Sequence, residues 1–128
     1  MGLGYVGLPL ALEFVRAGYR VAGLDADEAK ARRLREGRSH ITDVSEGQLR
    51  EALDTGRFEI TADPDVLSGV QTVNICVPTP LSKSGDPDLS FVQAALQAIE
   101  ANQRRGQLYI LESTTYPGTT EEALLPAF

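Results

Sequence analysis

The sequence predicts an α/β fold built on a doubly wound, mostly parallel sheet. Three observations carry that expectation. Short apolar runs of strand type alternate with helical segments along the 128 residues. The connections between them are short, as expected where helices cross back over a sheet. Three turns that each leave a strand, Gly2–Gly7, Pro78–Pro80 and Ser113–Thr115, would gather beyond the carboxyl ends of the strands. Open α/β sheets bind their ligands at that edge.

The first element is the turn Gly2-Leu3-Gly4-Tyr5-Val6-Gly7. Its GxGxxG spacing gives each glycine a task. The first makes the tight turn, the second lets backbone approach a pyrophosphate, and the third lets the next helix pack close to the sheet. That helix would also turn its unpaired N–H groups and positive dipole end toward phosphate. Leu8, Ala11, Leu12, Phe14 and Val15 follow at helical spacing, and Gly18 ends the helix. Tyr19 to Asp25 reads as a short buried strand closed by an acid. Asp25 lies about twenty residues past the glycines, where such a unit carries its ribose-binding carboxylate. A carboxylate there accepts from ribose hydroxyls and repels a 2′-phosphate, which favours NAD over NADP. The competing reading of Asp25 is an N-cap for a helix from Ala26 onward. This combination defines a Rossmann-type unit.

The remaining elements follow in order. Asp27 to Glu36 is a charged helix stopped by Gly37, and Arg38 to Asp43 is a polar loop. Ser45 to Leu53 is a helix with Ser45 as its candidate cap and Gly56 past its end. Phe58 to Thr61 alternates like a strand, and Pro64 to Gly69 is a short turn or helical segment. Thr72 to Val77 is a buried-type strand cut by Pro78-Thr79-Pro80. A loop over Leu81 to Asp88 leads to a helix over Leu89 to Gln103, capped by Asp88. Leu108 to Glu112 is the last strand, Ser113 to Thr119 a turn, and Glu121 to Leu125 the start of a helix that the chain end truncates.

The length suits one domain, small for a complete two-substrate enzyme. A net charge of −6 argues against a general binder of nucleic acid or anionic membrane. No apolar run reaches spanning length, and no secretory signal pattern is present. A single cysteine excludes an internal disulfide and fits a cytoplasmic location. Cys76, between Ile75 and Val77, reads as an inert core thiol. His40 sits in a polar loop and is not expected to be a catalytic base. No spacing suggests a metal site. Glu121 and Glu122 fit a helix first turn, which attracts carboxylates.

The chain resembles the UDP-glucose/GDP-mannose dehydrogenase family, in its N-terminal NAD-binding domain. The resemblance rests on Gly2 to Ala11, on Asp25-Ala26-Asp27 followed by Lys30, Leu34, Gly37 and Ile41, and on Val77-Pro78-Thr79-Pro80 with Pro87-Asp88-Leu89-Ser90. Glu112 to Glu121 supplies a third signature. The two later segments are most similar to the branch acting on UDP-N-acetylhexosamines. That family oxidises C6 of a nucleotide sugar from alcohol to carboxylate in two hydride transfers, consuming two NAD. The resemblance implies that Gly2, Gly4 and Gly7 carry the pyrophosphate, with Tyr5 and Val6 beside them as cofactor-binding residues. It places Asp25 on the adenosine ribose and Lys30 beside the adenosine end. Thr79 and Thr114 would touch the cofactor near its nicotinamide, with Thr114 a candidate for positioning a reactive water. Capping and turn formation are the plainer explanation of both threonines. The resemblance further implies a UDP-sugar substrate, a role in surface polysaccharide synthesis and a homodimer when full length.

Two departures qualify that reading. The family's nucleophile is a cysteine in a later region, where it carries the substrate as a thioester. Cys76 is not that residue, so this chain is expected not to turn over a nucleotide sugar alone. The GxGxxG turn should also follow a strand, yet only Met1 precedes it. The sheet is therefore expected to lack its first, central strand, leaving two exposed edges. Other readings are the cofactor domain of a related hydroxyacid dehydrogenase and a free-standing NAD-sensing module without chemistry.

Overall fold

Two parallel strand pairs frame the molecule. β1 (Val21–Leu24) pairs with β2 (Phe58–Thr61), Val21 opposite Phe58. β3 (Thr72–Ile75) pairs with β4 (Leu108–Leu111), Thr72 opposite Leu108. The computed structural model describes residues 1–81, 85 and 87–127. Of the loop predicted over 81–88, residues 82–84 and 86 lie outside the described residues.

Met1 and Gly2 join the two pairs. The Gly2 N–H donates to the Leu24 carbonyl at 2.8 Å. On the other side the Met1 ammonium donates to the Asn74 carbonyl, and the Cys76 N–H donates to the Met1 carbonyl, each at 2.8 Å. The spatial order is thus β2, β1, Met1–Gly2, β3, β4. This is the Rossmann arrangement, with two residues at its central position. Below them the inner edges of β1 and β3 face a cleft of about 1050 Å3.

Helices cover the strands for reasons written into their sequences. α1 (Gly7–Arg16) buries Leu8, Ala11, Leu12 and Val15, one stripe at helical spacing. Pro9 costs it nothing, because a first-turn N–H has no helical partner. α1 ends at Gly18, whose φ of +94° an L-residue adopts only under strain. α2 (Glu28–Arg35) is capped by Asp27, whose carboxylate accepts from the Lys30 N–H. α3 (Glu46–Asp54) begins with a capping box between Ser45 and Gln48. Together with β1 and β2 these helices enclose one apolar cluster around Leu8, Leu34, Leu49 and Phe58. A second cluster, around Leu67, Ile75, Val92 and Ile99, lies between β3, β4, the 3₁₀ turn Pro64–Gly69 and α4 (Ser90–Asn102).

Four predicted boundaries need correction. β1 starts at Val21 rather than Tyr19, because the Tyr19 N–H turns back to the Phe14 carbonyl at the end of α1. β3 stops at Ile75 rather than Val77, because the Cys76 N–H turns to Met1 and the Val77 carbonyl accepts from the Ser113 hydroxyl. Leu89, not Asp88, holds the cap position of α4, although Asp88 still accepts from the Ser90 N–H at 2.9 Å. The expected helix at Glu121–Leu125 is a single π-type turn, Thr120–Leu124, followed by a 3₁₀ turn, Leu125–Ala127. Pro126 has no N–H to continue an α-helix. Among the described residues no helix is long and apolar enough to cross a membrane.

Candidate functional site

The glycine turn separates into three different requirements. Gly2 has φ +84°, and a Cβ there would meet the Cys76 carbonyl oxygen at 2.8 Å. A Cβ on Gly7 would fall inside the Gly2 carbonyl and stand 3.2 Å from the Cys76 Cβ. Gly2 and Gly7 are therefore demanded by the fold. Gly4 is not: its φ is negative, and a Cβ there would meet no atom within 4 Å. The space in front of Gly4 is open.

The start of α1 is bare. Val6 at the cap position makes no side-chain capping bond, and the first turn holds no acid. The N–H groups of Gly4, Tyr5, Val6 and Gly7 have no hydrogen-bond acceptor among the described residues. Tyr5 and Val6 are 69% and 55% exposed. Unpaired donors at the positive end of a helix make a seat for an anion.

Asp25 closes β1 and is only 6% exposed. Its carboxylate accepts from the Leu3 N–H at 2.9 Å and the Asp27 N–H at 3.0 Å. The Lys30 ammonium sits across both oxygens, at 3.0 and 3.2 Å. Burial works against the charged carboxylate, but the two N–H groups and the ammonium outweigh it and hold its pKa below the usual range. Asp25 thus ties the glycine turn to β1 and does not cap α2, since Asp27 does. The structure brings Lys30 to the same corner. Sequence reasoning missed a third group there. His40 lies within electrostatic reach of Asp25 and Lys30, and its Nε2 is buried without a partner among the described residues. Burial, then the Lys30 charge, lowers its pKa. Nothing local in the loop signals that placement.

The other two turns are tied to each other. The Thr79 hydroxyl donates to the Thr114 carbonyl at 2.6 Å. The Ser113 hydroxyl donates to the Val77 carbonyl at 2.6 Å. The Thr114 hydroxyl has no partner among the described residues, and Thr79 keeps lone pairs free to accept. Cys76 is half-buried, and burial raises its thiol pKa, which disfavours the nucleophilic thiolate. Among the described residues no group of His, Cys, Asp and Glu could hold a metal ion.

A strand edge with a bare helix start, a buried acid and two hydroxyl-bearing turns suits a dinucleotide laid along it. The sequence matches the model of the UDP-glucose/GDP-mannose dehydrogenase family, NAD binding domain, over residues 1–128. The chain belongs to this family. It is 40% identical over 123 residues to the UDP-N-acetyl-D-mannosamine dehydrogenase of Pyrococcus horikoshii, covering 95% of this chain and 29% of that protein. It is 36% identical over 126 residues to the UDP-N-acetyl-D-glucosamine 6-dehydrogenase of Pseudomonas aeruginosa, covering 98% and 29%. Among solved structures, the ternary complex of GDP-mannose dehydrogenase from Pseudomonas aeruginosa superposes with a TM-score of 0.92 at 30% identity, over 98% of this chain and 30% of that one. The chain spans about three-tenths of the length of these dehydrogenases. It is an NAD-binding domain of the family, and NAD is its cofactor.

Proposed function

We propose that the chain forms the cofactor-binding part of an NAD-dependent nucleotide-sugar 6-dehydrogenase acting on a UDP-N-acetylhexosamine in surface polysaccharide synthesis. The observation that carries this reading is the gathering of four turns on one edge. They are the bare glycine turn, Asp25 with Lys30, the Thr79 turn and the Thr114 turn. The choice of sugar rests on the relatives, whose names specify UDP-N-acetylated hexosamines.

The residues divide the cofactor between them. The free N–H groups from Gly4 to Gly7 receive the pyrophosphate, and the open space at Gly4 admits it. Tyr5 and Val6 flank that seat. Asp25 accepts from the adenosine ribose hydroxyls. Its lone pairs toward Leu3 and Asp27 are already used, so the ribose takes positions that the Lys30 ammonium covers. Lys30 sits on a flexible stem about one-third exposed, and it can swing aside or bond the ribose itself. Thr79 and Thr114 lie at the nicotinamide end, where the free Thr114 hydroxyl can hold a water. When bound, NAD accepts hydride from the sugar. The chain alone would bind NAD without oxidising a nucleotide sugar. The full-length protein would act as a cytoplasmic homodimer.

The test is a thermal melt with NAD and with NADP. NAD should raise the transition in a saturable way and NADP should not, because a 2′-phosphate would face Asp25. An equal response to both, or none to NAD, would contradict the assignment.

A further inference from the structure

His40 stands at the ribose corner with no part in the cofactor binding described above. Its loop is fixed on the far side. Ile41 is buried in the first apolar cluster, and the Ser39 hydroxyl bonds both the Ile41 N–H and the Ile41 carbonyl, at 3.1 and 3.0 Å. The ring is half-buried, and its Nε2 is fully buried with no hydrogen-bond partner among the described residues. An orphaned buried nitrogen is costly to a fold, so its presence beside a binding site asks for a second state in which it is used.

Four groups from three elements act on the ring. At the end of β1 the Asp25 carboxylate favours a proton on it. So does the Leu3 backbone in the glycine turn, as an accepting carbonyl does. From α2, Lys30 and Arg33 oppose a proton there. Burial is the largest opposing influence, and the Lys30 charge comes next. Lys30 exerts it from the place where its ammonium bridges both Asp25 oxygens, at 3.0 and 3.2 Å. One ammonium thus has two effects: it neutralises Asp25 and repels positive charge on His40.

An arriving cofactor disturbs both. The Leu3 and Asp27 N–H groups already occupy two sites on the Asp25 carboxylate. A ribose that bonds Asp25 enters where the ammonium lies, and Lys30, on a flexible stem about one-third exposed, is the group that can yield. Asp25 then loses its counter-charge while staying buried. The pyrophosphate brings two negative charges to the turn that begins at Gly4, next to Leu3. Both changes favour a cation at His40. The adenosine adds burial, which acts the other way, but the ring is already half-buried and the charge changes fall on its immediate neighbours.

Resting on that placement of NAD, we propose that His40 is a positioning residue of the ribose corner, which takes over from Lys30 as the counter-charge of Asp25 when the ribose displaces the ammonium. In that step Nε2 takes one proton from water, and no other covalent bond changes. Both ring nitrogens become donors, and the cation holds Asp25 ionised and in place against the ribose. NAD binding is therefore coupled to proton uptake at one named atom.

His40 is the sole histidine of the chain, so its ring protons can be followed by NMR in an untagged sample without assignment by mutation. The test titrates the ring from about pH 5 to pH 8, with and without saturating NAD. In the free chain the midpoint should lie below the ordinary histidine value of about 6.5. NAD should raise it by about half a unit or more, a threefold gain in proton affinity. By linkage, the extra NAD affinity is complete below the free-chain midpoint and is lost as pH rises through the bound one. Calorimetry should therefore show NAD binding about threefold more tightly at the acid end of that range, with Asp25 still ionised. His40→Gln should bind NAD with an affinity flat in pH, which loss of packing alone would not produce. In Lys30→Met the free-chain midpoint should already be raised, and NAD should move it less. A midpoint unmoved or lowered by bound NAD would overturn the proposal, as would an unchanged pH profile in His40→Gln. If NAD does not bind the wild-type chain at all, the placement of the cofactor fails and this inference falls with it.

Discussion

The two ends of the candidate cofactor edge are built differently. At the first, Asp25 is buried and bonded to the backbone of two other segments, so the ribose corner is part of the fold. At the second, Thr114 is exposed and Thr79 half-buried, joined by one hydroxyl-to-carbonyl bond. The first corner holds its shape before any ligand arrives. The second is held lightly and has a free hydroxyl to offer. Substitutions at the first should therefore cost both stability and binding, and those at the second mainly binding.

The largest expected effect lies inside the glycine turn. Gly7→Ala drives a Cβ into the Gly2 backbone, which cannot yield as a side chain could. It should cost about 3 kcal/mol or more and remove the cooperative melt, checked by circular dichroism. Next comes Asp25→Ala, which strands the Leu3 N–H and the Lys30 ammonium. A loss of about 1–3 kcal/mol is expected in urea melts, together with loss of NAD binding. The wild-type chain should show the same carboxylate in its pH dependence. The folded-state pKa of Asp25 is depressed, so its contribution is complete above about pH 4 and fades as pH falls through the folded value. Melts from pH 6 down to about pH 2 should show that fall, and Asp25→Asn should flatten it. The smallest stability effect of the three variants belongs to Thr79→Val. Its bond is exposed, so about 0.5 kcal/mol is expected, while NAD affinity drops several-fold by calorimetry.

Much of this was legible in the sequence because it is local. The GxGxxG spacing, the strand closed by Asp25 and the Ser45 cap each depend on a few consecutive residues. What was not legible depends on segments meeting in space. His40 reaches the ribose corner across a loop and a helix. Thr79 and Thr114 are 35 residues apart and meet only because β3 and β4 are neighbours. The sequence also treats the three glycines as one motif, whereas packing makes two of them structural and leaves Gly4 without a structural reason.

Gly4 therefore offers the most direct measurement. Gly4→Ala has room for its methyl group and no positive φ to strain. Its stability without ligand should equal or slightly exceed that of the parent, by about 0.4–1 kcal/mol at most. Its response to NAD should fall by about tenfold or more in affinity, because the methyl occupies the space where the pyrophosphate approaches. Unchanged NAD affinity in a normally folded Gly4→Ala chain would contradict the placement of the cofactor on this turn.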